Sequence, residues 1–322
     1  MKIYNLKTKQ YETHAEFAAK VKRTAIALGN FDGVHIGHGR LLKAAFDETA
    51  EAAHEAKDGA ASVVWTFAEP PKSHLSPSES VNSITSADEK LRLFAEYGLD
   101  YAVFEDFAAV RHLTPDEFVK SVLISKLGCV SAVCGFNFKF GAYGAGNADS
   151  LVKIMTDAGH SAVVVEPVYA GGKIVSSSAI RAMIADGDME GAAQLLGRPF
   201  SINFPVVYGK QLGRTIGIPT VNQNFPDGHI IPRTGIYVST CEVDGVTYRA
   251  VANVGSRPTV TDEGGVNCET HIIGYDGVLY EKCIKVSFRR RLRDEMKFAS
   301  IDELKKQITA DIAATVEYFE SM

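Results

Sequence analysis

The chain has 322 residues, 46% hydrophobic and 23% charged, with a formal net charge of −5. Its length exceeds what one hydrophobic core usually fills, so two domains are expected, and the composition excludes a mostly disordered chain. The acidic balance argues against a whole-protein grip on nucleic acid, and no stretch nears the ~20 apolar residues that span a bilayer. The N-terminus lacks the apolar stretch of a signal peptide. Five cysteines without a CxxC pair indicate neither a disulfide framework nor a zinc site, so we expect reduced thiols in a cytosolic protein without membrane or nucleic-acid partners.

The first half alternates β-rich and helical runs. Thr24–Leu28 reads as a buried strand, followed by a glycine-bearing turn and a helix from about His38, with Leu41, Leu42, Ala45 and Phe46 on one face. Further strands are expected at Ser62–Phe67, Tyr101–Phe104, Val130–Val133 and Ala162–Val165, with helices near Asp88–Tyr97 and Pro115–Leu127. Such alternation implies a parallel sheet covered by helices on both faces. A short helix, Met189–Leu196, should join the halves. After Arg198-Pro199 the pattern becomes strands divided by turns. Gly235–Val243, Asp244-Gly245 and Val246–Val251 have the form of a two-residue hairpin, and a closed or nearly closed β-barrel fits this half. A last helix is expected with a Ser300/Glu303 capping box and a stripe of Ile301, Leu304, Ile308, Ile312 and Phe319.

Gly29, Asn30, Phe31, Asp32, Gly33, Val34, His35, Ile36, Gly37 and His38 stand where a parallel strand hands over to a helix. Glycines let backbone approach a phosphate, the helix N-terminus supplies free N–H groups, and two histidines three residues apart can address one polyphosphate. That suits ATP binding and stabilisation of charge when the α-phosphate is attacked. In the second half, Gly209, Lys210, Gly213 and Arg214 suit a loop folded over phosphates. Thr220 and Asn222 fall on one side of an extended strand, where oxygen ligands suit Mg²⁺.

The segment around His35 and His38 resembles the HxGH nucleotidyltransferase superfamily, and within it the bacterial bifunctional riboflavin kinase/FMN adenylyltransferases, also called FAD synthetases. Ser176-Ser177-Ser178-Ala179-Ile180-Arg181 is similar to the family's SSTxIR signature, and Gly135–Gly141 to its flavin-side GxDFxFG segment. The string Gly209–Asn222 resembles GxxxGRxxGxPTAN of the riboflavin kinases. Cys268-Glu269-Thr270-His271, Asn253–Thr259 and Phe288–Phe298 resemble further kinase segments. Asn137 and Lys139 stand where the family commonly has Asp and Arg, Tyr208 where it often has His, and Ala142–Asn147 lacks the usual basic residues. Thr66-Phe67-Ala68-Glu69-Pro70-Pro71 matches the family's TFxPxP loop only loosely.

The resemblance implies a Rossmann-like α/β adenylyltransferase domain (1–185), a linker helix (186–198) and a β-barrel riboflavin kinase domain with a terminal helix (199–322). It implies that riboflavin is phosphorylated to FMN and FMN adenylylated to FAD, with ATP as co-substrate and Mg²⁺ as cofactor. By the same likeness Glu269, His35 and His38 are catalytic. Gly29, Asn30, Phe31, Asp32, Ser177, Ser178, Arg181, Gly209, Lys210, Gly213 and Arg214 bind ATP, Asn137, Phe138 and Arg293 contact flavin, and Thr220 and Asn222 hold the metal. A kinase-only enzyme and a flavin-binding regulator remain as alternatives. The arginine run 289–293 is a short basic cluster that could also suggest nucleic acid, which the acidic chain disfavours.

Overall fold

The computed structural model describes residues 1–55, 60–68, 82–209, 212–256 and 265–322. Contacts divide it into two compact units, Met1–Ser176 and Ser177–Met322.

The first unit is built on a seven-stranded sheet. Its strands are β1 (Lys2–Asn5), β2 (Gln10–Glu12), β3 (Arg23–Leu28), β4 (Ala60–Phe67), β5 (Tyr101–Glu105), β6 (Cys129–Gly135) and β7 (Ser161–Val165), in spatial order β2-β1-β5-β4-β3-β6-β7. The strands β5, β4, β3, β6 and β7 run parallel, as expected. The antiparallel edge made by β1 and β2 was not expected, because runs of four and three residues carry too little alternation to read as strands.

Side-chain alternation along the central strands feeds two separate cores. Ile26, Leu28, Val63, Trp65 and Val103 lie in one, with Phe17 of α1 (His14–Lys20). Ala27, Val64, Ala102 and Val133 lie in the other, with Leu41, Leu42 and Ala45 of α2 (Ile36–Glu55) and Leu91 and Phe94 of α3 (Ala87–Glu96). Successive residues of a strand point to opposite faces, so both faces carry helices and the strands read as unbroken apolar runs. The expected helix 115–127 is α-helical only over Pro115–Glu117. It continues as α4 (Phe118–Lys126), wound as a π-helix with Phe118, Val119, Val122 and Leu123 buried. The helix α5 (Ala148–Asp157) packs against β7.

The second unit begins with α6 (Ser177–Asp186) and α7 (Met189–Leu196), which pack on each other. Asp188 caps α7, and Gly197 ends it at φ 75°. The helix α7 also lies on the barrel, where Arg290 forks onto Glu190 at 2.7 and 3.1 Å.

The barrel is closed and antiparallel. Its strands are β8 (Ser201–Val207), β9 (Val221–Asn224), β10 (Gly235–Val243), β11 (Val246–Ser256), β12 (Val266–Ile272) and β13 (Cys283–Arg293), in order β8-β9-β12-β11-β10-β13. The β10–β11 hairpin closes with Val243 opposite Val246, and Asp244 and Gly245 both take positive φ, as a twist-matched two-residue turn demands.

The terminal helix α8 (Ile301–Glu320) departs from the expected cap and stripe. Ser300 accepts from the Glu303 N–H, but the Glu303 carboxylate accepts from the Ala299 N–H rather than closing a box on Ser300. Ile301 is exposed, and the fully buried positions are Asp311 and Thr315.

Candidate active sites

The first unit's parallel strands are laid down as β3, β4, β5 to one side and then β6, β7 to the other. The order therefore reverses between β3 and β6, and ligands gather outside the carboxyl ends of strands at such a switch point. The His35–His38 segment leaves the end of β3 there, and Asn137 and Phe138 leave the end of β6.

Between β3 and α2 the backbone turns sharply, with Phe31, Gly33 and Val34 all at positive φ. Neighbouring segments hold this conformation. The Asp32 carboxylate accepts from the Ile84 and Thr85 N–H groups at 2.8 and 3.2 Å and from the Thr85 hydroxyl at 3.3 Å. The Gly33 N–H donates to that hydroxyl at 3.0 Å. The Asn30 carbonyl accepts from the Thr66 hydroxyl and the Lys90 ammonium, both at 3.0 Å. Phe31 is fully buried, edge-on to Phe94. The side chains of Phe31 and Asp32 thus build the loop from inside, while that of Asn30 is exposed.

His35 precedes α2 as its cap. Its Nδ1 accepts from the His38 N–H at 3.1 Å, which places the proton of a neutral ring on Nε2. The two imidazoles stack 3.6 Å apart and 10° from parallel. A Cβ at Gly37 would stand 3.2 Å from Cε1 and Nδ1 of His35, so the glycine between the histidines leaves room for the ring.

On the flavin-side segment, Asn137 is exposed and Phe138 is half-buried, stacked 5.4 Å from Phe140. Phe140 belongs to the core. Ser177, Ser178 and Arg181 occupy the first turns of α6, Ser178 exposed and the other two half-buried.

In the barrel, Asn222 lies directly opposite Glu269 across the β9–β12 pair. The Asn267 amide ties them, donating to Asn222 Oδ1 at 3.1 Å and lying 3.4 Å from Glu269 Oε1. Asn267 has no role assigned from the sequence; its place two residues before Glu269, on the same strand face, was the available signal. A Cβ at Gly209 would come within 2.5 Å of the Asn222 amide, and one at Gly213 would collide with the Ile218 carbonyl. Both glycines are close-approach positions. Lys210, the Arg257–Thr259 part of the Asn253 segment, and Glu69, Pro70 and Pro71 lie outside the described residues; Arg214 is described by its backbone alone, in the turn Leu212–Thr215.

Two cavities flank Thr220. One of about 260 Å³ sets Glu269, Asn253, His271 and Arg293 against an apolar wall that includes Ile218, Val251, Phe298 and Ile308. The other, of about 270 Å³, is lined by Tyr275, Val278 and Tyr280. Tyr208 stacks on Tyr280 at 4.1 Å. Arg293 is locked in its wall by a bidentate pair with Asp311 at 2.7 and 2.9 Å. Arg290 and Arg291 are likewise taken up by Glu190 and by Asp294 with the Thr234 carbonyl. Three arginines of the basic run, Arg290, Arg291 and Arg293, are thus held by internal ties.

Two family models match the chain. One described as FAD synthetase covers residues 18–179, and one described as riboflavin kinase covers 196–319. A bifunctional riboflavin kinase/FMN adenylyltransferase from Pseudomonas fluorescens is 34% identical over 89% of this chain and 90% of its own. One of the same name from Escherichia coli K12 is 35% identical over 91% and 92%. A solved structure described as a macrolide-efflux protein from Streptococcus pneumoniae matches with a TM-score of 0.79 and 32% identity, covering 91% of this chain and 94% of that one. Among the described residues no helix is long and apolar enough to cross a membrane.

Proposed function

The chain belongs to the bifunctional riboflavin kinase/FMN adenylyltransferase family, and on that premise we propose how its residues divide two ATP-dependent reactions. Residues 199–322 phosphorylate riboflavin, residues 1–185 adenylylate FMN, and 186–198 join them.

In the barrel, the cavity with the apolar wall suits the isoalloxazine ring, and the adjoining cavity suits the nucleotide. Thr220 lines both, so the ribityl 5′-hydroxyl and the γ-phosphate meet beside Glu269. That shared wall is the observation that carries the reading. Glu269 accepts the hydroxyl proton as the new O–P bond forms and the bond to ADP breaks. Among the described residues no cluster of His, Cys, Asp and Glu could hold a metal. The Thr220 hydroxyl and the Asn222 amide oxygen are instead the hard, neutral donors that fit Mg²⁺, an ion that leans on the nucleotide's own phosphates. Bound there, it would neutralise charge on the transferring phosphoryl group. The family motif assigns Gly209, Lys210, Gly213 and Arg214 to the nucleotide's phosphates, and Arg293 borders the flavin.

In the first unit, an FMN phosphate oxygen attacks the α-phosphorus of ATP and pyrophosphate leaves. His35, His38, which stacks on it, and the N–H groups opening α2 stabilise that charge, a role that the stacked pair at the helix N-terminus supports. The glycine and backbone of Gly29–Asp32 shape the approach. The family signature assigns Ser177, Ser178 and Arg181 to ATP, and Asn137 and Phe138 to the flavin. We assign the enzyme to the cytosol, where its five free thiols stay reduced.

Incubating the protein with riboflavin, MgCl₂ and ATP and separating the flavins should yield FMN and FAD. FMN alone would indicate a kinase-only enzyme. Glu269→Ala should lower FMN formation by at least about 100-fold while sparing FAD formation from supplied FMN. His38→Ala should do the reverse. Loss of both activities in either variant would refute this division.

A further inference from the structure

A row of paired residues crosses the barrel through Glu269. Asn222 of β9 and Asn253 of β11 stand directly opposite it on either side. Ile236 of β10 stands opposite Asn253, and Arg293 of β13 opposite Ile236. Residues paired in this way point to the same face of a sheet. Glu269, Asn253, Ile236 and Arg293 accordingly line the same cavity. Adjacent strands are about 4.8 Å apart, so Asn253 lies one strand from the carboxylate and one from the apolar residue beyond it.

The two amides that flank Glu269 differ. Asn222 Oδ1 receives the Asn267 amide at 3.1 Å. Asn253 is half-buried, and its Oδ1 is buried with no hydrogen-bond partner among the described residues. An amide oxygen left without a donor costs stability, and a leucine of nearly the same shape would remove that cost. The fold itself gives no reason for an amide here, whereas a polar ligand in the cavity would.

Riboflavin supplies the fitting chemistry. Its 5′-hydroxyl must reach Glu269 and its ring the apolar wall. The ribityl chain between them, with secondary hydroxyls at 2′, 3′ and 4′, therefore runs past the strand in between. A neutral amide has two donors and one acceptor, and its last torsion is soft enough to present either end to a hydroxyl. We infer that Asn253 is a specificity-determining residue of the kinase site: its amide hydrogen-bonds a secondary hydroxyl of the ribityl chain, and so selects a flavin that carries a polyol. The inference rests on the assignment of riboflavin phosphorylation to the barrel.

The test is steady-state phosphorylation by the full chain, run with riboflavin and with its 2′-, 3′- and 4′-deoxy analogues, each of which keeps the 5′-hydroxyl. In the parent, kcat/KM should fall about tenfold for at least one analogue, because a site built to bond a hydroxyl rejects the molecule that lacks it. Asn253→Leu should raise the KM for riboflavin about tenfold and bring that analogue's kcat/KM to within about twofold of riboflavin's. Its KM for ATP and its FAD formation from supplied FMN should stay parental. Its melting temperature should hold or rise, since an unsatisfied oxygen is gone.

Analogue penalties of the same size in parent and Asn253→Leu, or no penalty in the parent for any analogue, overturn the inference. So does a lower kcat with a parental KM for riboflavin, the mark of a residue that only supports Glu269. Should the bulk of leucine prevent folding, Asn253→Ala is read in the same way. Failure of both to fold overturns the inference, since the amide would then serve the fold. A parent chain that makes no FMN, or a Glu269→Ala protein that makes it at the parental rate, would instead sink the assignment on which the inference rests.

Discussion

Asp311 lies on the buried face of α8 with 5% of its surface exposed, in a helix whose sequence advertises an apolar stripe. Its carboxylate takes both Arg293 bonds and a third from Gln307 at 3.1 Å, which turns a flexible guanidinium into a fixed part of the cavity wall. Asp311→Ala should therefore destabilise the protein by on the order of 2–3 kcal/mol, below the ~3–5 of a fully buried pair because Arg293 keeps some access to water. It should also raise the KM for riboflavin about tenfold. Chemical denaturation and riboflavin-varied kinetics check the two effects. An unchanged KM would mean that Arg293 does not need its anchor. Asp311 was not legible in the sequence, because a carboxylate eighteen positions from its arginine has no local signature.

Among the elements, α2 carries most of the proposed adenylylating site. Its N-terminus is aimed by a loop that three other segments hold, and His35 caps it with the same ring nitrogen that fixes its tautomer. Replacing Gly37 by Ala separates helix stability from function. Alanine is favoured over glycine inside a helix by roughly 1 kcal/mol, so the melting temperature should hold or rise. The new Cβ nonetheless meets the His35 ring at 3.2 Å and must push it aside. We expect FAD formation to fall at least about tenfold with FMN formation unaffected, since a displaced donor loses much of its value in the transition state. Parental FAD formation would show that the ring position is not critical. On the other face of the sheet, α4 marks a limit of periodicity: over nine residues, apolar positions at 118, 119, 122 and 123 fit a helix of 3.6 residues per turn about as well as a wider one.

For the whole molecule, the proposal assigns the two reactions to separate residue sets. If FMN leaves the barrel before it is adenylylated, Glu269→Ala and His38→Ala proteins should complement each other in solution. Mixed in equal amounts with riboflavin, MgCl₂ and ATP, they should form FAD, although neither does so alone. The check is flavin separation over time, with FMN rising before FAD. Persistent absence of FAD from the mixture, with each variant retaining its remaining activity, would mean that FMN must pass between sites within one chain.

Legible before folding were the change from an alternating α/β half to a barrel half, the central parallel strands, the two-residue hairpin at Asp244-Gly245 and the main motifs. These are written in short-range patterns: buried β-branched runs, turn residues that tolerate positive φ, and glycines at fixed spacing from polar groups. Folding alone shows that the side chains of Phe31 and Asp32 face inward, that Asn267 bridges Asn222 and Glu269, that Arg290, Arg291 and Arg293 are internal ties, and that Lys90 and Asp311 are buried. Each of those depends on partners that are distant along the chain and close only after folding, so no local periodicity could have announced them.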